Sequence, residues 1–134
     1  MAFSKIKEAV KDFKKGRFVI LLDDKSRENE GDLVVSAEKA TPQKINFMIK
    51  YARGLVCVPM LGKRLDELKI GLMTKKNTEF VKCAFTISVD YKHGTNTGIS
   101  AFDRAKTIKA LINPEAKPGD FARPGHIFPL RCHK

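Results

Sequence analysis

The run from Arg17 to Leu22 is short, continuously apolar and rich in β-branched residues, and a polar stretch from Asp23 to Asp32 cuts it off. A run that is apolar at every position, not at every second one, reads as a strand covered on both faces and so as part of a layered α/β sheet. Leu55 to Pro59 is a second such run, and Leu33 to Ala37 resumes as strand after the polar stretch. Amphipathic helices separate them. Phe3, Ile6, Ala9, Val10 and Phe13 recur at helical spacing, with Ser4 as N-cap and Gly16 where a left-handed C-cap would end the helix. Thr41 followed by Pro42 starts another, with Ile45, Met48, Ile49 and Ala52 on its buried face and Gly54 as its stop.

Further along, a short helix is expected around Arg64 to Leu68 and a loop through Lys75 to Thr78. Phe80 to Val89 follows as a half-buried strand in which Phe85, Ile87 and Val89 alternate with Thr86 and Ser88. Ser100 and Asp103 form a capping-box pattern ahead of Phe102, Ala105, Ile108 and Leu111. Asn113 to His126, with Pro114, Pro118 and Pro124, reads as a loop, and Ile127 to Leu130 as the last strand. The expected architecture is α/β (α+β), a mixed sheet covered by helices. At 134 residues against roughly 150 per domain, a single domain spanning 1–134 is expected.

Composition narrows the function classes. With 26 Lys and Arg against 15 Asp and Glu, the net charge of +11 suits an anionic partner. Much of the excess sits at Lys5, Lys7, Lys11, Lys14, Lys15 and Arg17, opposed only by Glu8 and Asp12, which reads as a solvated helix face. Cys57, Cys83 and Cys132 are odd in number and lack C-x-x-C spacing, against a disulfide framework or a zinc ribbon. No apolar run approaches the ~20 residues of a membrane span, and the N-terminal segment lacks signal-peptide form, so a cytoplasmic chain without membrane partners is expected.

Three segments could carry chemistry. In an extended chain Glu28, Glu30 and Asp32 would project to one side, and three converging carboxylates suit a hard divalent cation, or a metal ligand plus a base; an acidic surface turn is the plainer reading. Lys92 to Arg104 is a Gly- and Thr-rich loop opening into a helix, whose free N–H groups would favour phosphate, or else a polar turn capped by Ser100. It has no P-loop pattern. Arg123-Pro124-Gly125-His126 fixes a histidine, the natural group for proton transfer near neutral pH, although a structural histidine is the commoner outcome. Cys57 reads as a small core residue.

Taken in order, RENEGD (27–32), GLVCVPM ending at Met60, TNTGISAFDR (95–104) and RPGH (123–126) followed by IFPLR resemble the 3,4-dihydroxy-2-butanone 4-phosphate synthases of riboflavin biosynthesis, along essentially all 134 residues. The resemblance implies a lyase that converts D-ribulose 5-phosphate to 3,4-dihydroxy-2-butanone 4-phosphate and formate. It implies Mg2+, with Mn2+ as a substitute, and a homodimer with sites shared across the interface. By position it implies Glu28 as metal ligand and as a substrate contact. Arg27, Asp32, Thr95 and Cys57 become substrate contacts, and His126, Glu30 and Asp23 the catalytic groups. Proton removal beside the sugar ketone gives an enediolate, whose charge a divalent cation offsets.

Against the family pattern, the chain is expected to be truncated at its C-terminus. The glycine-rich segment and GHTEA motif that follow FPLR in the family, with a second metal ligand and phosphate contacts, are not in this sequence. Cys132 and His133 lie near that region without a flanking match, and neither is assigned. Cys83 stands where the family often has a hydroxyl residue. A fusion to a GTP cyclohydrolase II domain in a longer chain fits the family. Two alternatives remain: a family member that binds a sugar phosphate or a partner without turnover, and a basic nucleic-acid-binding module, against which the lack of tryptophan and of any binding motif counts.

Overall fold

A computed structural model describes residues 3–132; Met1, Ala2, His133 and Lys134 lie outside the described residues. Its backbone contacts divide into two compact units, with the boundary after Ala40.

The first unit holds α1 (Ile6–Lys14), β1 (Val19–Leu22), β2 (Gly31–Val34) and a 3-10 turn, Ala37–Lys39. Lys5, not Ser4, is the N-cap of α1, and no side chain caps it. Gly16 (φ 74°) ends the helix as expected, its N–H bonded to the Phe13 carbonyl. β1 and β2 pair antiparallel from Val19 opposite Val34 to Leu22 opposite Gly31. Two expectations differ here. Among the described residues β1 pairs with β2, and its Ile20, Leu21 and Leu22 side chains are exposed instead of covered. Continuous apolarity marks a strand without saying what lies over it. β2 also begins earlier and ends sooner than 33–37, because Gly31 and Asp32 belong to the ladder and residues after Ser36 turn helical.

The second unit contains α2 (Pro42–Phe47), β3 (Cys57–Leu61), α3 (Gly62–Glu67), β4 (Val89–Tyr91), α4 (Ala101–Ile112) and β5 (Phe121–Cys132). Thr41 caps α2 by accepting the Lys44 N–H, as its sequence dictates, and a π-helical turn, Met48–Ala52, prolongs it. The sheet is mixed, in the order β3-β5-β4, with β3 parallel and β4 antiparallel to the central β5. Helix α4 packs on α2, β4 and β5. Ile45, Leu65, Leu68, Ile70, Val89, Leu111, Phe121 and Ile127 are almost fully buried, each burial contributing about 1.5–3 kcal/mol.

Two further boundaries differ. Phe80 to Ser88 is not regular strand; Leu72–Thr86 and Phe85–Leu130 pair only as isolated bridges, and the ladder starts at Val89. β5 begins at Phe121, inside the stretch that reads as a loop. The register explains how a Pro-Gly pair fits a central strand: Val89 faces Ile127 but Asp90 faces Ala122. Arg123 to His126 therefore form a bulge, a strand setting in which proline's missing donor leaves no ladder bond unmade.

Candidate active site

The RENEGD segment is a turn, not extended chain. Asp23 closes it: its Oδ2 accepts the Glu28 N–H at 2.9 Å, its Oδ1 accepts the Glu30 N–H at 2.9 Å, and its own N–H reaches the Glu30 carbonyl at 3.3 Å. Arg27 Nη1 lies 3.3 Å from Asp23 Oδ2 and 3.4 Å from Glu28 Oε2. Asn29 takes the left-handed conformation (φ 54°) that asparagine tolerates. Desolvation works to raise the Asp23 pKa, but the Glu30 and Glu28 N–H groups and the Arg27 charge outweigh it, so the carboxyl sits below its ordinary value. A Cβ on Gly31 would stand 2.9 Å from Leu22 Cδ2, the end of an exposed side chain that can move aside.

The alternation that would gather Glu28, Glu30 and Asp32 thus applies only from Gly31 onward. Asp32 is an exposed ladder residue opposite Leu21, while Glu28 and Glu30 ride the turn. Among the described residues no group of three or more His, Cys, Asp or Glu is close enough to hold a metal. The expected convergence of three carboxylates is corrected accordingly. Glu28 keeps a half-open side chain whose oxygens match a hard cation's ligand preference.

In the second unit the chemistry gathers around Asp90. Its side chain is only 12% exposed. Oδ1 accepts the His126 backbone N–H at 2.9 Å, and Oδ2 lies 2.7 Å from His126 Nδ1. Ser88 Oγ accepts the Gly125 N–H at 3.1 Å. Glycine is obligatory on two sides: a Cβ on Gly125 would run into the Val89–Asp90 backbone, and one on Gly98 (φ 86°) into the Asp90 carboxylate. Arg104 stands nearby. Burial pushes its guanidinium below the usual value while the Asp90 charge pulls the other way, and its buried Nε has no hydrogen-bond partner among the described residues.

In the loop before α4, several of the N–H groups are already engaged within the chain. Asp103 Oδ2 already accepts the N–H groups of Asn96 (3.3 Å) and Gly98 (3.1 Å), and Ser100 Oγ caps the helix through the Asp103 N–H at 3.0 Å. The Ser100 cap is as expected. Thr95 donates its hydroxyl to the Tyr91 carbonyl, one residue from Asp90. Cys57 is half-buried on β3 opposite Phe128, two residues from His126 along β5. Asp90, Asp103 and Arg104 were not singled out by the sequence as chemical residues. Asp90 ends an alternating strand pattern and lies 36 positions from His126, so nothing local connects them.

Residues 7–134 match the model of the family described as 3,4-dihydroxy-2-butanone 4-phosphate synthase. The chain belongs to this family. Among related synthases, the 3,4-dihydroxy-2-butanone 4-phosphate synthase of Agrobacterium fabrum is 56% identical over 133 residues, 99% of this chain and 62% of that one. The riboflavin biosynthesis protein RibBA of Endomicrobium trichonymphae is 64% identical over 130 residues, 97% of this chain and 32% of its own length. A crystal structure of a 3,4-dihydroxy-2-butanone 4-phosphate synthase in complex with two magnesium ions superposes with a TM-score of 0.95 at 44% identity, covering 98% of this chain and 61% of that one. The chain therefore spans less than two thirds of these synthase relatives. The match to the family model runs across the boundary after Ala40 and so includes residues of both units. No helix among the described residues is long and apolar enough to cross a membrane.

Proposed function

We propose that this chain carries synthase chemistry: D-ribulose 5-phosphate is converted to 3,4-dihydroxy-2-butanone 4-phosphate and formate with Mg2+, or Mn2+ in its place, in a cytoplasmic homodimer. The observation that carries the reading is the 23–30 turn of a family member, in which Asp23 ties down the main chain beneath Arg27, Glu28 and Glu30. An oxygen-only, solvent-facing carboxylate fits a hard divalent cation, and Glu28 would hold it. When bound, the cation supplies positive charge against the negative charge that develops on the sugar oxygens.

The remaining work falls to the chain's own groups. Arg27 attracts the anionic substrate, with Asp32, Thr95 and Cys57 as further contacts. His126 and Glu30 exchange protons with the sugar carbon and hydroxyls, a service worth about 10²–10⁴-fold in rate. Asp23, its oxygens taken up by the turn, serves mainly by ordering Glu28 and Glu30. The exposed apolar side chains Phe3, Ile6, Val10 and Phe13 of the α1 segment offer a face for a second copy. A relative named as a probable bifunctional riboflavin biosynthesis protein supports a fusion to a second enzymatic domain in a longer chain, which the family resemblance suggests is a GTP cyclohydrolase II.

The test is Mg2+-dependent formate release from D-ribulose 5-phosphate, measured on the 134-residue chain and on a form extended to the full length of its synthase relatives. Release that needs Mg2+ and disappears in both Glu28→Ala and His126→Ala is expected. Formate from neither form would overturn the activity, and full activity in His126→Ala would remove the histidine from it. The result divides the alternatives as well: substrate binding without turnover in both forms would favour the binding-only reading.

A further inference from the structure

We propose that Asp90 is a positioning residue for His126, fixing the neutral imidazole with its proton on Nδ1 and its lone pair on Nε2. The inference deepens the reading of His126 as a proton-transfer group and rests on it. Asp90 holds the histidine twice, through the backbone N–H on Oδ1 and the ring Nδ1 on Oδ2. A carboxylate can only accept, so a neutral ring at 2.7 Å from it must carry its proton on Nδ1. That leaves Nε2 as the basic nitrogen, and it has no hydrogen-bond partner among the described residues.

The arrangement is built to keep Asp90 in place. Gly125 lets β5 lie against the Val89–Asp90 backbone, and Gly98 leaves the carboxylate the room that a Cβ would occupy. Arg104 supplies positive charge beside the carboxylate, and the Tyr91 N–H, next in the chain, is anchored on Thr107 Oγ1 at 2.9 Å. A base oriented by a third group is the general pattern of activated catalytic pairs. A histidine that merely filled space on β5 would not need both oxygens of a nearly buried carboxylate.

The experiment is 15N NMR of the imidazoles of the 134-residue chain across a pH series, read where the 15N shifts themselves show a neutral ring, with the His126 signals assigned by their loss in His126→Gln. The Nδ1–H tautomer should dominate at His126, and Asp90→Asn, whose amide can donate toward Nδ1, should shift the ring to Nε2–H. Ile45→Val loosens the core away from this pair and should leave the tautomer unchanged. An Nε2–H ring in the parent chain overturns the proposal, as does an unchanged tautomer in Asp90→Asn or an equal shift in Ile45→Val. Should Asp90→Asn fail to fold, the parent tautomer decides alone. The readout does not depend on turnover, so an inactive chain with an Nδ1–H ring would refute the activity and leave the positioning intact.

Discussion

Two carboxylates organise this chain, and they do so by opposite means. Asp23 lies in a charged turn and orders it from within, accepting N–H groups five and seven residues ahead. Asp90 is nearly buried and binds a residue 36 positions away, in a niche defined by the glycines at 98 and 125. Local hydrogen bonds make the first arrangement recoverable after damage, because little else depends on it. The second depends on the sheet register and bulge, so it should fail together with the core around it.

The sharpest way to break this contrast is Gly125→Ala. The added methyl has only backbone to push against, that of Val89 and Asp90, and forced overpacking costs about 1–3 kcal/mol or more. A large fall in the denaturant midpoint is expected, with loss of the His126–Asp90 pairing; an unchanged midpoint would mean that β4 and β5 separate freely and that the niche is not rigid. A smaller effect is expected from Thr107→Val. The fully buried Thr107 accepts the Tyr91 N–H at 2.9 Å and donates to the Asp103 carbonyl at 3.0 Å. Its isosteric replacement leaves the part-buried Tyr91 donor unmet, a loss of about 1 kcal/mol that thermal unfolding would register. Stability equal to the parent would show that water or a backbone shift serves Tyr91 instead.

The same contrast governs how much could be read from the sequence. Elements set by local rules were legible: the Thr41-Pro42 start of α2, the Ser100 cap of α4 and the Gly16 stop of α1 all follow from adjacent residues. Ser4 was not the cap of α1, because the helix starts one residue later and Lys5 takes the extended N-cap position. The charged turn was legible as a candidate site because its residues are contiguous, although its shape was not: alternation applies to strands, and Asp23 folds residues 24–30 into a turn instead. β5 was half missed because proline and glycine usually end strands, and only the partner register shows that they occupy a bulge. Asp90 was missed altogether. Its meaning lies in a contact between β4 and β5, and a single sequence carries no trace of which strand lies beside which.

The mildest prediction concerns the turn itself. Desolvation would raise the Asp23 pKa, but the N–H groups of Glu30 and Glu28 and the charge of Arg27 lower it overall. A carboxyl whose folded pKa is depressed contributes its full stabilisation above the ordinary value of about 3.9 and loses it as the pH falls through the lower, folded value. Acidification through and below the usual carboxylate range should therefore release the Glu28 and Glu30 amides, seen as faster hydrogen exchange or as chemical-shift changes at those two residues. Asp23→Asn should bring on the same loosening at neutral pH, because a neutral amide oxygen accepts more weakly and no longer attracts Arg27. The unfolding midpoint of Asp23→Asn at neutral pH should change little, because the bonds it weakens lie within one exposed turn. Were it to fall with the turn, Asp23 would be tied to the core as Asp90 is, and the two carboxylates would differ only in place, not in kind.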